Sequence, residues 1–194
     1  MESSLSNNLE HHGLSLLHDR EAVLAGIDQL ADKIVAAYAA YEVINLVPVI
    51  TGGMQFGAAL LTALEKRSPG KWIVVPVFAA AYLTDQVISE PAIEFPGTFD
   101  ARINEDMPVL IVDDLLDSGT TINELIGQIL AKGIPAVQLA VLLERNVPRT
   151  VDVRPDFCVF DLQSDAWVVG FGMDSEQRFR GLDAIYLLQK WSNH

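Results

Sequence analysis

The chain has a single cysteine, Cys158, among 194 residues. One thiol excludes an internal disulfide framework and fits a reducing compartment. It sits in the apolar run 157–160 with no histidine near it in sequence, so it reads as a core thiol rather than a nucleophile. Basic residues are scarce: 13 Lys and Arg stand against 26 Asp and Glu, a formal net charge of −13. That balance argues against non-specific binding to nucleic acid or to an anionic membrane surface. The polar start, residues 1–13, lacks the basic and apolar regions of a secretory signal, and a cytoplasmic location is expected. Residues 43–64 carry no charge over a length that could cross a bilayer. Asn45, Pro48, Thr51, Gly52, Gly53, Gln55 and Gly57 interrupt it, and the stretch reads as a buried strand, a glycine loop and a helix. No internal repeat or low-complexity tract is present.

What is there suits one compact domain: half of the residues are apolar and one fifth are charged. From Asp19, a plausible N-cap, Val23, Leu24, Ile27, Leu30, Ile34 and Val35 recur at three-to-four spacing and predict a helix to about residue 41. Further helices are expected at about 58–66 and 121–132, and buried strands at 43–50, 72–78, 109–112 and 137–143. Short strands follow near 157–161, 167–171 and 184–188. Residues 84–107 show little periodicity and read as a long functional or mobile loop. Strands written as continuous Val/Ile/Leu runs between helices indicate an α/β fold, a central parallel sheet flanked by helices. The expected division is a flexible extension over 1–18 and one domain over 19–194, with its core at about 19–150 and a small C-terminal hood at about 151–190. In such sheets ligands bind beyond the carboxyl ends of the strands.

The most informative stretch is Val109-Leu110-Ile111-Val112-Asp113-Asp114-Leu115-Leu116-Asp117-Ser118-Gly119-Thr120-Thr121. An apolar strand delivers two adjacent carboxylates at its end, and a turn of small residues then opens a helix. Backbone N–H groups at such a turn, with the positive end of the helix dipole, suit a phosphate dianion. Gly119 allows close approach, and Ser118, Thr120 and Thr121 add hydroxyl donors. Asp113 and Asp114 repel phosphate but accept hydrogen bonds from a sugar diol. One segment can therefore read both ends of a ribose phosphate.

This stretch closely resembles the phosphoribosyl pyrophosphate (PRPP) signature of the type I phosphoribosyltransferases, especially their hypoxanthine-guanine branch. The resemblance implies that family's fold and a pentosyl transfer from PRPP to a purine base, with release of pyrophosphate, in purine salvage. It implies Mg2+ as cofactor and a homo-oligomer, dimer or tetramer. Asp113 and Asp114 would bind the ribose; Asp117, Ser118, Gly119, Thr120 and Thr121 would bind the 5′-phosphate, with Asp117 also handling the proton at purine N7. A second similarity, Pro48-Val49-Ile50-Thr51-Gly52-Gly53, looks like the family's pyrophosphate loop, which places a cis peptide at Thr51–Gly52 and Thr51, Gly52 and Gly53 on the leaving group. A third, from Trp167 through Gly170, Phe171, Gly172 and Asp174 to Arg180, is similar to the hood over the purine. There Trp167 would stack on the base, the main chain at Val168 would read its edge, Asp174 would hold the metal beside the base, and Arg180 would contact pyrophosphate. The family's base-reading lysine falls on Arg145 or, in the other alignment, on Glu144; Arg149 reads as an ion-pair or loop-supporting residue. Tyr82 matches a tyrosine of the family's mobile loop, whose serine is here Ala81 and whose basic residues are alanines. That altered loop raises the alternative of a PRPP-sensing regulator with little catalysis.

Overall fold

The computed structural model describes residues 9, 11–82, 87–149 and 151–189, and the side chains of all of these except 80–82 and 87–91. Among the described residues the named elements follow one another as β1 (Leu14–His18), α1 (Arg20–Ala37), β2 (Ile44–Ile50), α2 (Gly53–Arg67), β3 (Trp72–Val74), β4 (Val77–Tyr82), β5 (Val87–Glu94), α3 (Phe99–Arg102), β6 (Val109–Leu116), α4 (Thr120–Ala131), β7 (Val137–Arg145), β8 (Phe157–Leu162), β9 (Trp167–Val169) and β10 (Ile185–Leu188). The large sheet runs β5-β4-β2-β6-β7-β8, with β3 also paired to β2. Every pairing in it is parallel except β4 with β5. β3 and β4 lie in succession along β2, matched at Leu46↔Val74 and Val49↔Val77. Pro76 separates them because it has no N–H to give to the ladder.

Strand periodicity explains how the sheet is covered on both faces. Along β6, Leu110 and Val112 face a core with Ile27, Leu30 and Ile34 of α1 and Phe56, Leu60 and Leu64 of α2. Val109 and Ile111 face the opposite core, with Ile122, Leu125 and Ile129 of α4. Asp19 caps α1 as expected, its carboxylate accepting the Ala22 N–H at 2.8 Å. No helix among the described residues is long and apolar enough to cross a membrane.

Three expectations change. The extension expected to stay flexible through residue 18 contains β1, which pairs antiparallel with β10; residues 1–8 lie outside the described ones. Leu14 is buried there, an anchor with too short a pattern to register as a strand on its own. The hood is accordingly a three-stranded sheet, β1-β10-β9, whereas β8, expected within it, pairs parallel with β7 as the edge of the large sheet. The loop expected over 84–107 contains β5 and α3. β5 escapes an alternation test because Pro91 interrupts it and a bulge shifts its register against β4.

Asn45 explains why residues 104–108 hold their place. It is fully buried in β2, donates to the carbonyls of Asn104 at 2.8 Å and Met107 at 3.1 Å, and accepts the Asn104 N–H at 2.9 Å. Asn45→Leu keeps the branched shape and the number of heavy atoms but strands these backbone groups, each costing about 1–3 kcal/mol when buried and unpaired. We expect a loss of roughly 3 kcal/mol in urea unfolding; a change under about 1 kcal/mol would show the segment to be held by other contacts.

Candidate active site

Parallel pairing of β2 with β6 in the register Pro48↔Val112 brings two loops out side by side at one sheet edge. The first follows β2. Its cis peptide is Ile50–Thr51, one bond earlier than expected; Gly52 has helical angles (φ −57, ψ −55) as the residue capping α2. A Cβ on Gly52 would lie 2.6 Å from an Asp114 carboxylate oxygen, and one on Gly53 would lie 2.6 Å from the Val112 carbonyl. Only glycine lets this loop lie against the acid pair. Thr51 is exposed beside them.

At the end of β6, Asp113 and Asp114 are brought together as expected. The Asp113 carboxylate accepts the Asp114 N–H at 3.0 Å, and that of Asp114 accepts the Leu115 N–H at 2.8 Å. Burial, then the Asp114 charge, raises the Asp113 pKa well above the ordinary carboxylate range. Burial raises Asp114 too, against hydrogen bonds that lower it; the positive charge of Arg180 favours ionisation of both. The pair is thus a site of frustrated negative charge, satisfied by hydroxyl donors or a cation.

The second loop forms the expected turn. Gly119 has φ 79 and begins α4 with no side-chain cap of its own; the Thr120 N–H reaches the Ser118 hydroxyl at 3.4 Å, and the rest of the helix start is left to another acceptor. Ser118 and Thr120 are exposed, Thr121 half-buried, and the Ser118 hydroxyl lies 3.4 Å from that of Thr120. Asp117 is exposed beside them and ion-paired to Arg145 at 3.2 Å.

The hood closes on both loops. Gly172 has φ 107, and a Cβ there would run into the Gly52 carbonyl oxygen and approach Asp114 at 3.4 Å. Arg180 donates to the Gly172 carbonyl at 2.7 Å and pairs with Asp174 at 2.6 Å. The exposed indole of Trp167 donates to the Asp174 carbonyl at 2.9 Å. Val168 buries its side chain in the core and pairs its backbone with Leu187. Arg145 is nearly buried; besides Asp117 it donates to the Ser164 and Ala166 carbonyls, just before Trp167. This places Arg145, not Glu144, between Asp117 and the segment that leads into Trp167, since Glu144 is occupied by Arg149 at 2.8 Å. Tyr82 ends β4, and its side chain lies outside the described residues.

Oxygen-only ligands suit a hard divalent cation that keeps several waters. Asp174 supplies such an oxygen, and the raised affinity of Asp113 and Asp114 for protons is what a nearby cation would relieve. The donor set fits magnesium. Gly172 was missed as a site residue; its only sequence signal is the Gly170-Phe171-Gly172 alternation, which does not reveal what the glycine touches.

Comparison with known proteins agrees with this geometry. Residues 13–176 match the family model of the phosphoribosyl transferase domain. A hypoxanthine-guanine phosphoribosyltransferase of Schistosoma mansoni is 32% identical over 152 residues, 76% of this chain and 52% of that protein. One from Aquifex aeolicus is 28% identical over 176 residues, covering 91% of this chain and 95% of that one. Among solved structures, a mutant hypoxanthine phosphoribosyltransferase of Trypanosoma cruzi in a ternary substrates complex superposes with a TM-score of 0.79 at 23% identity, covering 90% of this chain and 95% of that one. One from Staphylococcus aureus gives 0.79 at 19% identity, with 93% and 95% covered.

The raised Asp113 pKa has a stability consequence of definite sign. A carboxyl that binds its proton more tightly folded than unfolded destabilises the fold above its folded pKa, and this cost vanishes below the unfolded value of about 4. Asp113→Asn should therefore melt higher than wild type near neutrality, with the gap closing as the pH falls toward about 4. Thermal melts across pH check this; an Asn variant less stable at neutral pH contradicts it.

Proposed function

The chain belongs to the phosphoribosyl transferase domain family, and on that premise we propose that it transfers ribose 5-phosphate from PRPP to a hypoxanthine- or guanine-type purine, releasing pyrophosphate. The observation that carries this reading is the juxtaposition of an uncapped helix start at residues 118–121, an acid pair suited to a diol, and an exposed indole. A phosphate, a ribose and a purine need those three surfaces in that order.

In this mechanism the 5′-phosphate sits on the backbone of Ser118, Gly119, Thr120 and Thr121, where oriented N–H groups and the helix dipole favour a dianion. Asp113 and Asp114 accept hydrogen bonds from the ribose hydroxyls. Trp167 offers its flat apolar face to the purine, and Arg145, held by the Ser164 and Ala166 carbonyls, offers a positive donor to a 6-oxo oxygen. A purine nitrogen forms its bond to C1 as the bond from C1 to the pyrophosphate oxygen breaks. The ring proton released at N7 passes to Asp117, whose carboxylate Arg145 keeps in place. Thr51, Gly52, Gly53 and Arg180 receive the leaving pyrophosphate.

Magnesium held by Asp174, with the acid pair nearby, supplies neutralisation of charge on the leaving group when bound. Orientation and electrostatics do the rest, with no covalent enzyme intermediate. The reading includes a homo-oligomer. Met54 and Phe78, 54% and 47% exposed next to the pyrophosphate loop, offer apolar surface for one.

The test is pyrophosphate release from PRPP with hypoxanthine, guanine, xanthine and adenine in turn. Turnover with a 6-oxopurine is expected; binding of PRPP with no turnover on any base would overturn the reading. Asp117→Asn should lower kcat by about 10²–10⁴-fold if Asp117 takes the proton, and unchanged kcat would remove that role. Trp167→Ala should raise KM for the base by about 5- to 150-fold, the worth of one aromatic stack, with KM for PRPP little changed.

A further inference from the structure

Among the described residues Arg149 has the most side-chain hydrogen bonds, yet no step of the proposed reaction uses it. It is 4% exposed and lies on the loop after β7. Its guanidinium donates to the Asp117 carbonyl at 2.7 Å, the Leu116 carbonyl at 3.3 Å, the Arg145 carbonyl at 2.8 Å, the Val153 carbonyl at 3.2 Å and the Glu144 carboxylate at 2.8 Å. Two of these five acceptors are backbone groups of the turn that leads into α4. The same segment touches that turn a second way: a Cβ on Gly119 would meet Val151 at 3.1 Å, Val153 at 3.6 Å and the Arg149 stem at 3.7 Å.

Peptide planarity gives these bonds a consequence on the far side of the turn. In a trans peptide the C=O and the following N–H point in opposite directions. When Arg149 Nε holds the Asp117 carbonyl, the N–H of Ser118 in the same peptide plane points away from the guanidinium. Among the described residues no hydrogen bond occupies the Ser118 N–H. The hold on the Leu116 carbonyl orients the Asp117 N–H in the same manner, more weakly at its longer distance.

Resting on the phosphoribosyltransferase reading, we propose that Arg149 is a positioning residue that aims the Ser118 N–H at the 5′-phosphate of the substrate, with Glu144 clamping the guanidinium in the required orientation. Arg149 touches no substrate. Its effect is exerted through one peptide plane, and it falls on the phosphoribosyl substrate rather than on the purine. A guanidinium suits the task because its rigid fork reaches acceptors on several sides at once. The ammonium of a lysine keeps the charge and the pairing with Glu144 but cannot also span the Asp117, Arg145 and Val153 carbonyls.

The informative variant is therefore Arg149→Lys, assayed in the full-length protein beside Glu144→Gln, with circular dichroism and thermal melts to establish folding. Arg149→Lys should raise KM for PRPP by about 10- to 100-fold, the worth of an aimed hydrogen bond to a charged group. KM for the purine should stay within about threefold, and Glu144→Gln should shift KM for PRPP the same way by less, since it keeps an acceptor. Titration with ribose 5-phosphate, followed by calorimetry, should weaken by the same factor as KM. A uniform loss of kcat with both KM values unchanged would mark a purely structural role and overturn the proposal. Should the variants not fold, amide NMR of the wild type decides: the Ser118 resonance must move on titration with inorganic phosphate, and an unmoved resonance overturns it. Wild-type protein that releases no pyrophosphate with any purine sinks the enzymatic reading alone, while the ribose 5-phosphate titration still tests Arg149.

Discussion

The side-by-side pairing of β2 and β6 governs the rest of the molecule. Because Pro48 stands opposite Val112, the chain leaves both strands at the same level, and Gly52 comes to rest on the Asp114 carboxylate. A slip of one residue would turn Asp113 and Asp114 to exchanged faces of the sheet and bury a carboxylate among Phe56 or Ile122. Register is protected against that slip by two different cores. Leu110 and Val112 can enter only the layer beneath α1 and α2, while Val109 and Ile111 belong beneath α4. The hydrophobic alternation of one strand thus positions the polar groups at its end.

Those polar groups carry a conflict. A chain with a net charge of −13 is proposed to bind a substrate that is itself polyanionic. The structure meets the conflict locally. It offers backbone N–H groups at the start of α4, the Arg180 guanidinium beside Asp174, and a buried acid pair whose charge is relieved by Arg180. Arg145 and Arg149 are drawn inward instead, the first to Asp117 and the hood carbonyls, the second to Glu144 and the turn. These two guanidiniums hold loop backbone in shape, and the backbone of the turn into α4 is left open beside them.

Several features were readable before any fold was known, for reasons that are local. Asp19 announces α1 because an N-cap needs only its own next three residues. The run 109–121 announces a strand, an acid pair and a helix start because every group involved lies within a few residues of the next. Arg149 could be read as a loop-supporting residue from its cationic type and its place after Pro148, and its bonds agree, although its acceptors at Leu116 and Asp117 lie more than 30 positions earlier. Nothing in the sequence pointed to Asn45, an ordinary polar residue in an apolar strand whose partners are backbone groups near residue 104.

By itself, then, the amino-acid order determined the α/β alternation, the small-residue turn that opens α4 and the residue types available for chemistry, since periodicity, capping and turn geometry are properties of neighbouring residues. Only the tertiary structure decided that residues 14–18 complete the hood, that β8 belongs to the large sheet, and that the cis bond precedes Thr51. It alone decided that Arg145 rather than Glu144 lies beside Asp117 and that Gly172 is where the hood meets Gly52. Each of these depends on a contact between segments far apart in the chain, where close packing and hydrogen-bond satisfaction select one arrangement and local preference is silent.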